Sequence, residues 1–158
     1  MFSAITVADE FLKIAKRSGQ ALTPMQLMKL VYIAHGWALA VLGRDLFSNR
    51  IEAWKYGPVI PDLYQATKQF GRNEIPLALI DEFAESGIDA PTNAFLEDVF
   101  SKYGHLSAID LSNLTHQSGT PWDQKYEPWA RGIEIPDHLI AQHYVEKLNE
   151  YRRSASTA

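Results

Sequence analysis

Apolar residues recur at three- and four-residue spacing through the first part of the chain, which predicts helices. In the first helix, Thr6 is the expected N-cap, the buried stripe covers residues 7–15, and Gly19 follows the end. A second helix is predicted at Thr23-Pro24, where a capping threonine precedes a proline and Gln26 completes a capping box. The chain is therefore expected to open with two consecutive helices.

The second predicted helix is apolar on nearly every side as far as Gly43, which is typical of the central helix of a domain. A membrane span is the competing interpretation. Lys29 and His35 interrupt the apolar run, and the charge-free stretch that remains is shorter than the ~20 residues that a bilayer needs. The pattern therefore favours a buried core helix and no membrane contact.

After this helix the pattern changes to alternation. The apolar stretches Leu46-Phe47 and Ile51–Tyr56 lie on either side of Ser48-Asn49, which predicts a small β-hairpin near residues 46–56. Gly57-Pro58 is expected to end the hairpin as a tight exit into a helix.

Helical spacing returns in the rest of the chain. One helix is predicted from Pro61, another before Gly104, a third from Ser107 and a last one from Pro136. Residues 72–91 follow neither period, and the stretch between Pro76 and Pro91 is expected to be either a short helix or an acidic loop.

At 158 residues, a single domain buries roughly 68–70% of the surface of its unfolded chain. The sequence has no internal repeat and no low-complexity linker. We therefore expect a mostly α fold, with one compact helical domain over residues 1–153 and a disordered tail over residues 154–158.

Composition narrows the function classes. The absence of cysteine excludes disulfide scaffolds, thiolate metal sites and cysteine nucleophiles, and it fits a cytoplasmic protein. The net charge of −4 argues against nucleic acid as a partner of this chain alone. Residues 1–75 are mildly basic, whereas residues 81–98 carry six acidic side chains that would attract a basic partner.

Signs of catalysis are weak. The sequence has no phosphate-binding loop and no zinc-protease or hydrolase motif, and His138 and His143 lie about 140° apart on a helix, which is poor geometry for one metal ion. No cofactor or metal is therefore expected. Asp110, Thr115 and His116 keep an enzyme of unknown reaction open as a low-ranking alternative, although a hydrogen-bonded corner explains the Thr-His pair as well.

Several aromatic residues stand beside glycine or proline in turn-rich segments, where a ring can be half exposed and anchor a partner. With one arginine nearby, the candidates for partner binding are Arg50, Trp54, Tyr56, Trp122 and Trp129, although burial in the core is favoured for Trp54 and Trp122.

Two blocks of motif residues resemble a known family. The first block, residues 25–71, contains Lys29, Gly36-Trp37 and Tyr56-Gly57-Pro58, and the second, residues 111–122, contains Thr115-His116 and Pro121-Trp122. In this order and separation the blocks resemble the Panacea-domain family, the SocA-like and GepA-like proteins of phages, prophages and bacterial toxin–antitoxin loci.

The resemblance implies a compact helical antitoxin that binds and suppresses a toxin encoded beside it, with the toxin's own chemistry left open. One branch of the family acts as a proteolytic adaptor that passes its toxin to an ATP-dependent protease, and this alternative stays open here, as does a homodimer. The motif residues expected to have structural roles are Lys29, Gly36, Trp37, Gly57, Pro58, Thr115, His116 and Pro121.

Overall fold

The computed structural model describes residues 1–76 and 87–157, and these form seven α-helices and one three-stranded antiparallel sheet. The predicted mostly α fold with a small β element is confirmed. In chain order the elements are α1 (Ala4–Arg17), α2 (Pro24–Trp37), β1 (Glu52–Trp54), β2 (Gly57–Val59), α3 (Pro61–Thr67), α4 (Ala90–Tyr103), α5 (Ala108–Thr115), α6 (Pro121–Lys125), β3 (Ile133–Glu134) and α7 (Asp137–Thr157).

Helix α2 is the centre of the fold, as the sequence predicted. Its N-terminus has the capping box, in which the Thr23 side chain accepts from the Gln26 amide and the Gln26 side chain accepts from the Thr23 amide. Every residue from 27 to 37 is buried, and helices α1, α3, α4, α5 and α7 all pack against α2. The chain continues as a π-helical turn, Ala38–Leu42, and leaves it at Gly43, whose φ is 67°.

Gly36 allows α7 to approach α2 closely. A Cβ at this position would lie 2.2 Å from the ring of Tyr144, so the ring occupies the space that any other side chain would need. The ring of Trp37 packs edge-on against Tyr144, and its indole N–H donates to the hydroxyl of Tyr103 at 3.0 Å. Gly36 and Trp37 therefore both take part in the packing between α2 and α7.

The hairpin is present, but its strands differ from the prediction. Trp54 pairs with Gly57 and Glu52 with Val59, so Gly57-Pro58 belongs to the second strand and does not end the hairpin. Phe47 instead forms an isolated parallel bridge with Phe2. In the strand order β2-β1-β3, β2 is an edge strand, where the missing N–H of proline costs no ladder hydrogen bond.

Two helix boundaries also differ from the prediction. Ser3, and not Thr6, caps α1, and its side chain accepts from the Thr6 amide. At the other end of the chain, α7 continues to Thr157, past residue 154 where the tail was predicted to begin. Part of the acidic segment, including Asp81, Glu82 and Glu85, lies outside the described residues.

Candidate functional site

Lys29 is buried in the interior, with 2% of its surface exposed. Its ammonium group donates to the carbonyl oxygen of Pro58 at 2.9 Å and to that of Tyr56 at 3.4 Å. Burial lowers the pKa of Lys29 to about 7, because removal from water disfavours the charged form. Lys29 therefore attaches the hairpin turn and β2 to the central helix.

Gly57 meets two separate requirements at this contact. Its φ of 120° lies in a region that side chains with a Cβ rarely adopt, and a Cβ placed there would lie 2.7 Å from the nitrogen of Lys29. The hydroxyl of Thr115 would lie 3.5 Å from the same Cβ. The close packing of the turn on α2 and α5 thus depends on glycine.

The two motif blocks meet at the carbonyl oxygen of Tyr56. Lys29 reaches it from α2, and the hydroxyl of Ser112 donates to it from α5 at 2.9 Å. Sequence reasoning did not single out Ser112, although it lies inside the second block. Its hydrogen bond joins residues that are 56 positions apart in the sequence. A local sequence pattern does not reveal such a pairing.

The remaining motif residues form a hydrogen-bonded corner. The Thr115 hydroxyl bonds to the main-chain carbonyls of Leu111 and Ser112, and Nδ1 of His116 also bonds to the Ser112 carbonyl. The ring of His116 packs edge-on against Trp122, with 5.3 Å between centroids. These contacts join the end of α5 to the ring of Trp122.

Pro121 begins α6 and places Trp122 against the hairpin. The indole N–H of Trp122 donates to the carbonyl oxygen of Trp54 at 2.5 Å, and its ring stacks on Tyr126. Trp122 is 8% exposed. It belongs to the interior and holds the hairpin at Trp54.

The catalytic alternative has little geometric support. The Thr115 hydroxyl is already bonded within its own helix, and Asp110 lies in the first turn of α5 with its side chain toward solvent. Within the described residues, no hydrogen bond joins Asp110 to His116 or Thr115 to His116. The three side chains therefore do not form a nucleophilic triad.

The five candidate partner-binding residues have different environments. Arg50 bonds Glu52 and the carbonyl of Gly132, and it lies 3.4 Å from Glu134, so it joins the hairpin to β3. Two of the rings face solvent, since Tyr56 is 63% exposed and Trp129 is 82% exposed. Trp54 is half-buried and packs edge-on against Tyr64, while Trp122 is internal. Tyr56 and Trp129 are therefore the candidates that a partner reaches without rearrangement.

One cluster that sequence reasoning missed has donor types that suit a metal ion. Within the described residues, His35, Asp45 and Asp137 offer ligand atoms that lie within 4.8 Å of one another. Nε2 of His35 is 2.9 Å from a carboxylate oxygen of Asp137. Hydrogen bonding to Asp137 raises the pKa of Asp45, and hydrogen bonding from His35 lowers that of Asp137. Nδ1 of His35 is buried and has no hydrogen-bond partner among the described residues.

The central helix also explains the apolar run in the sequence. Among the described residues, Pro24–Leu42 is the helical stretch with the length and composition of a membrane span, and 67% of its most apolar window is buried inside the protein. Its apolar surface is therefore used for packing against the surrounding helices.

Comparison with known proteins agrees with the motif blocks. The family model of the SocA-like antitoxins, the Panacea domain, matches residues 27–123, and the chain belongs to this family. A relative described as Antitoxin SocA, from Caulobacter vibrioides (strain NA1000 / CB15N), is 34% identical over 128 residues, which cover 76% of this chain and 68% of the relative. No solved structure matches the chain.

Proposed function

We propose that this protein is an antitoxin that neutralises a toxin by direct, non-catalytic binding in the cytoplasm. The observation that carries the proposal is membership of the SocA-like antitoxin family, through a match that spans the central helix, the hairpin and the second motif block. The toxin is expected to be the product of a neighbouring gene.

The contacts of the motif residues support a binding role. Lys29, Ser112 and Gly57 position the hairpin turn, and the side chains of Thr115 and His116 bond within α5. Because these groups bond within the protein, they stabilise the shape of its surface. The surface that they hold includes the exposed ring of Tyr56 at the tip of the hairpin.

Co-expression tests the proposal directly. The neighbouring gene is induced alone and together with this protein, and growth is followed while the purified mixture is run on a sizing column. We expect restored growth and a stable complex, whose mass also reports whether this protein is a dimer. Persistent toxicity with no complex would contradict the proposal.

The half-life of the toxin separates blocking from proteolytic delivery. If the protein only blocks its toxin, co-expression leaves the toxin's half-life unchanged or longer. A half-life that shortens, and recovers in a strain lacking ATP-dependent proteases, would favour the adaptor alternative instead.

A further inference from the structure

An open groove of about 460 Å³ lies beside the hairpin tip, between α2, the hairpin and α3. Met25 and Met28 line it from α2, Tyr56 from the turn and Tyr64 from α3. Three of these side chains are exposed: Met25 is 40% exposed, Tyr56 63% and Tyr64 38%. Flexible methionines beside aromatic rings form a surface that can adapt to an apolar partner.

The groove is also basic. Lys29, Lys55 and Lys68 all line it, and none of its lining residues in the described part of the chain carries a carboxylate. Lys55 and Lys68 are exposed at the surface, whereas Lys29 is buried and bonded to two main-chain carbonyls. Two exposed positive charges, Lys55 and Lys68, therefore border an apolar surface whose described lining residues carry no negative charge.

This combination restricts what can bind. An apolar segment gains from leaving water, but a segment with lysine or arginine would bring like charges together in a partly desolvated site. A segment with a carboxylate would form charge-assisted hydrogen bonds with the ammonium groups while its apolar neighbours cover the methionines and tyrosines. The complementary partner is thus both apolar and acidic.

We propose that this groove binds a segment of the toxin in which apolar side chains flank at least one aspartate or glutamate. The inference rests on the proposed antitoxin function and specifies its interface. The carboxylate pairs with Lys55 and Lys68 at the rim and extends toward Lys29, and the apolar side chains pack on Met25 and Tyr64.

A charge-reversal pair tests the inference without disturbing the interior. Lys55→Glu with Lys68→Glu reverses both exposed groove lysines. The matched control is Lys16→Glu with Lys102→Glu, which changes the net charge equally at two exposed lysines outside the groove. Lys29 is left intact, because it supports the hairpin.

We expect the groove variant to bind the neighbouring gene's toxin at least tenfold more weakly than the wild type, and the control variant to stay within about twofold. Affinity is measured by biolayer interferometry with an inactive toxin, and thermal unfolding checks that both variants fold. Equal effects of the two variants would overturn the inference.

Photo-crosslinking identifies the occupant. A benzoylphenylalanine is placed at Met25 or Tyr64, with the 72% exposed Ile109 as a control position outside the groove, and the crosslinked peptides are sequenced. We expect a toxin peptide with apolar residues around an acid, and exchange of that acid for lysine should restore binding to the charge-reversal variant. A crosslink to residues 77–86 of this chain, to nucleic acid or to a basic toxin segment would contradict the proposal.

The two proposals fail in different ways. If the wild-type protein forms no complex with the toxin, the antitoxin function itself is wrong. If the wild-type complex forms and the groove variants bind as tightly as the control, the function stands and the groove is not the interface.

Discussion

The main chain and the ring of Tyr56 lie in two different regions of this molecule. Its carbonyl oxygen is held by Lys29 from one motif block and Ser112 from the other, inside the protein, whereas its ring is 63% exposed. The interior region consists mainly of groups that bond each other, and the outer region presents exposed apolar and basic groups. The motif residues therefore stabilise the shape of a surface. The exposed side chains on that surface belong mostly to residues that neighbour the motif residues.

The largest expected effect comes from replacing a tryptophan with alanine, and we compare this change in the two regions. Trp122→Ala removes a buried ring and the hydrogen bond to the Trp54 carbonyl, and we expect a loss of about 4 kcal/mol in the free energy of unfolding. Trp129→Ala removes a ring that is 82% exposed, and we expect less than about 0.5 kcal/mol. Urea unfolding measures both. Similar losses would mean that Trp129 also packs in the interior.

A second test compares two glycines with positive φ. Gly57→Ala combines an unfavourable backbone angle with a Cβ 2.7 Å from the nitrogen of Lys29, so we expect a loss of about 3 kcal/mol. Gly119→Ala has a φ of 84° and nothing within 4 Å of the new Cβ, so about 1 kcal/mol is expected. Chemical unfolding curves give the difference, and equal losses would show that crowding at Lys29 is unimportant.

The helical part of the fold was predictable because its signals are local. The capping box at Thr23, the all-round apolar α2 and the cap at Ser107 each depend on residues within four positions of one another. The sequence pattern predicts that the hairpin ends at Gly57-Pro58, because this pair usually terminates a strand. In the structure the pair forms part of β2, since β2 is an edge strand and Lys29 bonds to it.

The candidate site was predicted only in part. Tyr56 and Trp129 are exposed as a partner anchor requires, but Arg50 and Trp122 are engaged within the fold through Gly132 and Trp54. These partners are 82 and 68 positions away in the sequence. Residue type and neighbouring turns indicate which side chains could contact a partner, and long-range pairing decides which of them stay exposed.

The third prediction concerns the buried charge of Lys29. Burial lowers its pKa from 10.5 to about 7 in the folded protein, so between these values the unfolded chain holds more protons. Stability from this group therefore rises with pH across that window. We expect the wild type to gain about 3 kcal/mol relative to Lys29→Met between pH 6.5 and pH 9.5. Parallel unfolding free energies for the two proteins across this range would contradict the assignment.

The smallest effect is expected at His116, where two variants separate a structural from a catalytic role. His116→Asn keeps an N–H donor near the position of Nδ1, so the bond to the Ser112 carbonyl can form, while His116→Ala loses both this bond and the contact with Trp122. We expect a loss of about 1 kcal/mol for the alanine variant and less for the asparagine variant, with full protection from the toxin in growth assays for both. A proton-transfer role would require the imidazole itself, because an amide does not titrate near neutral pH. An asparagine variant that folds and binds the toxin but no longer protects would therefore favour catalysis over the structural corner.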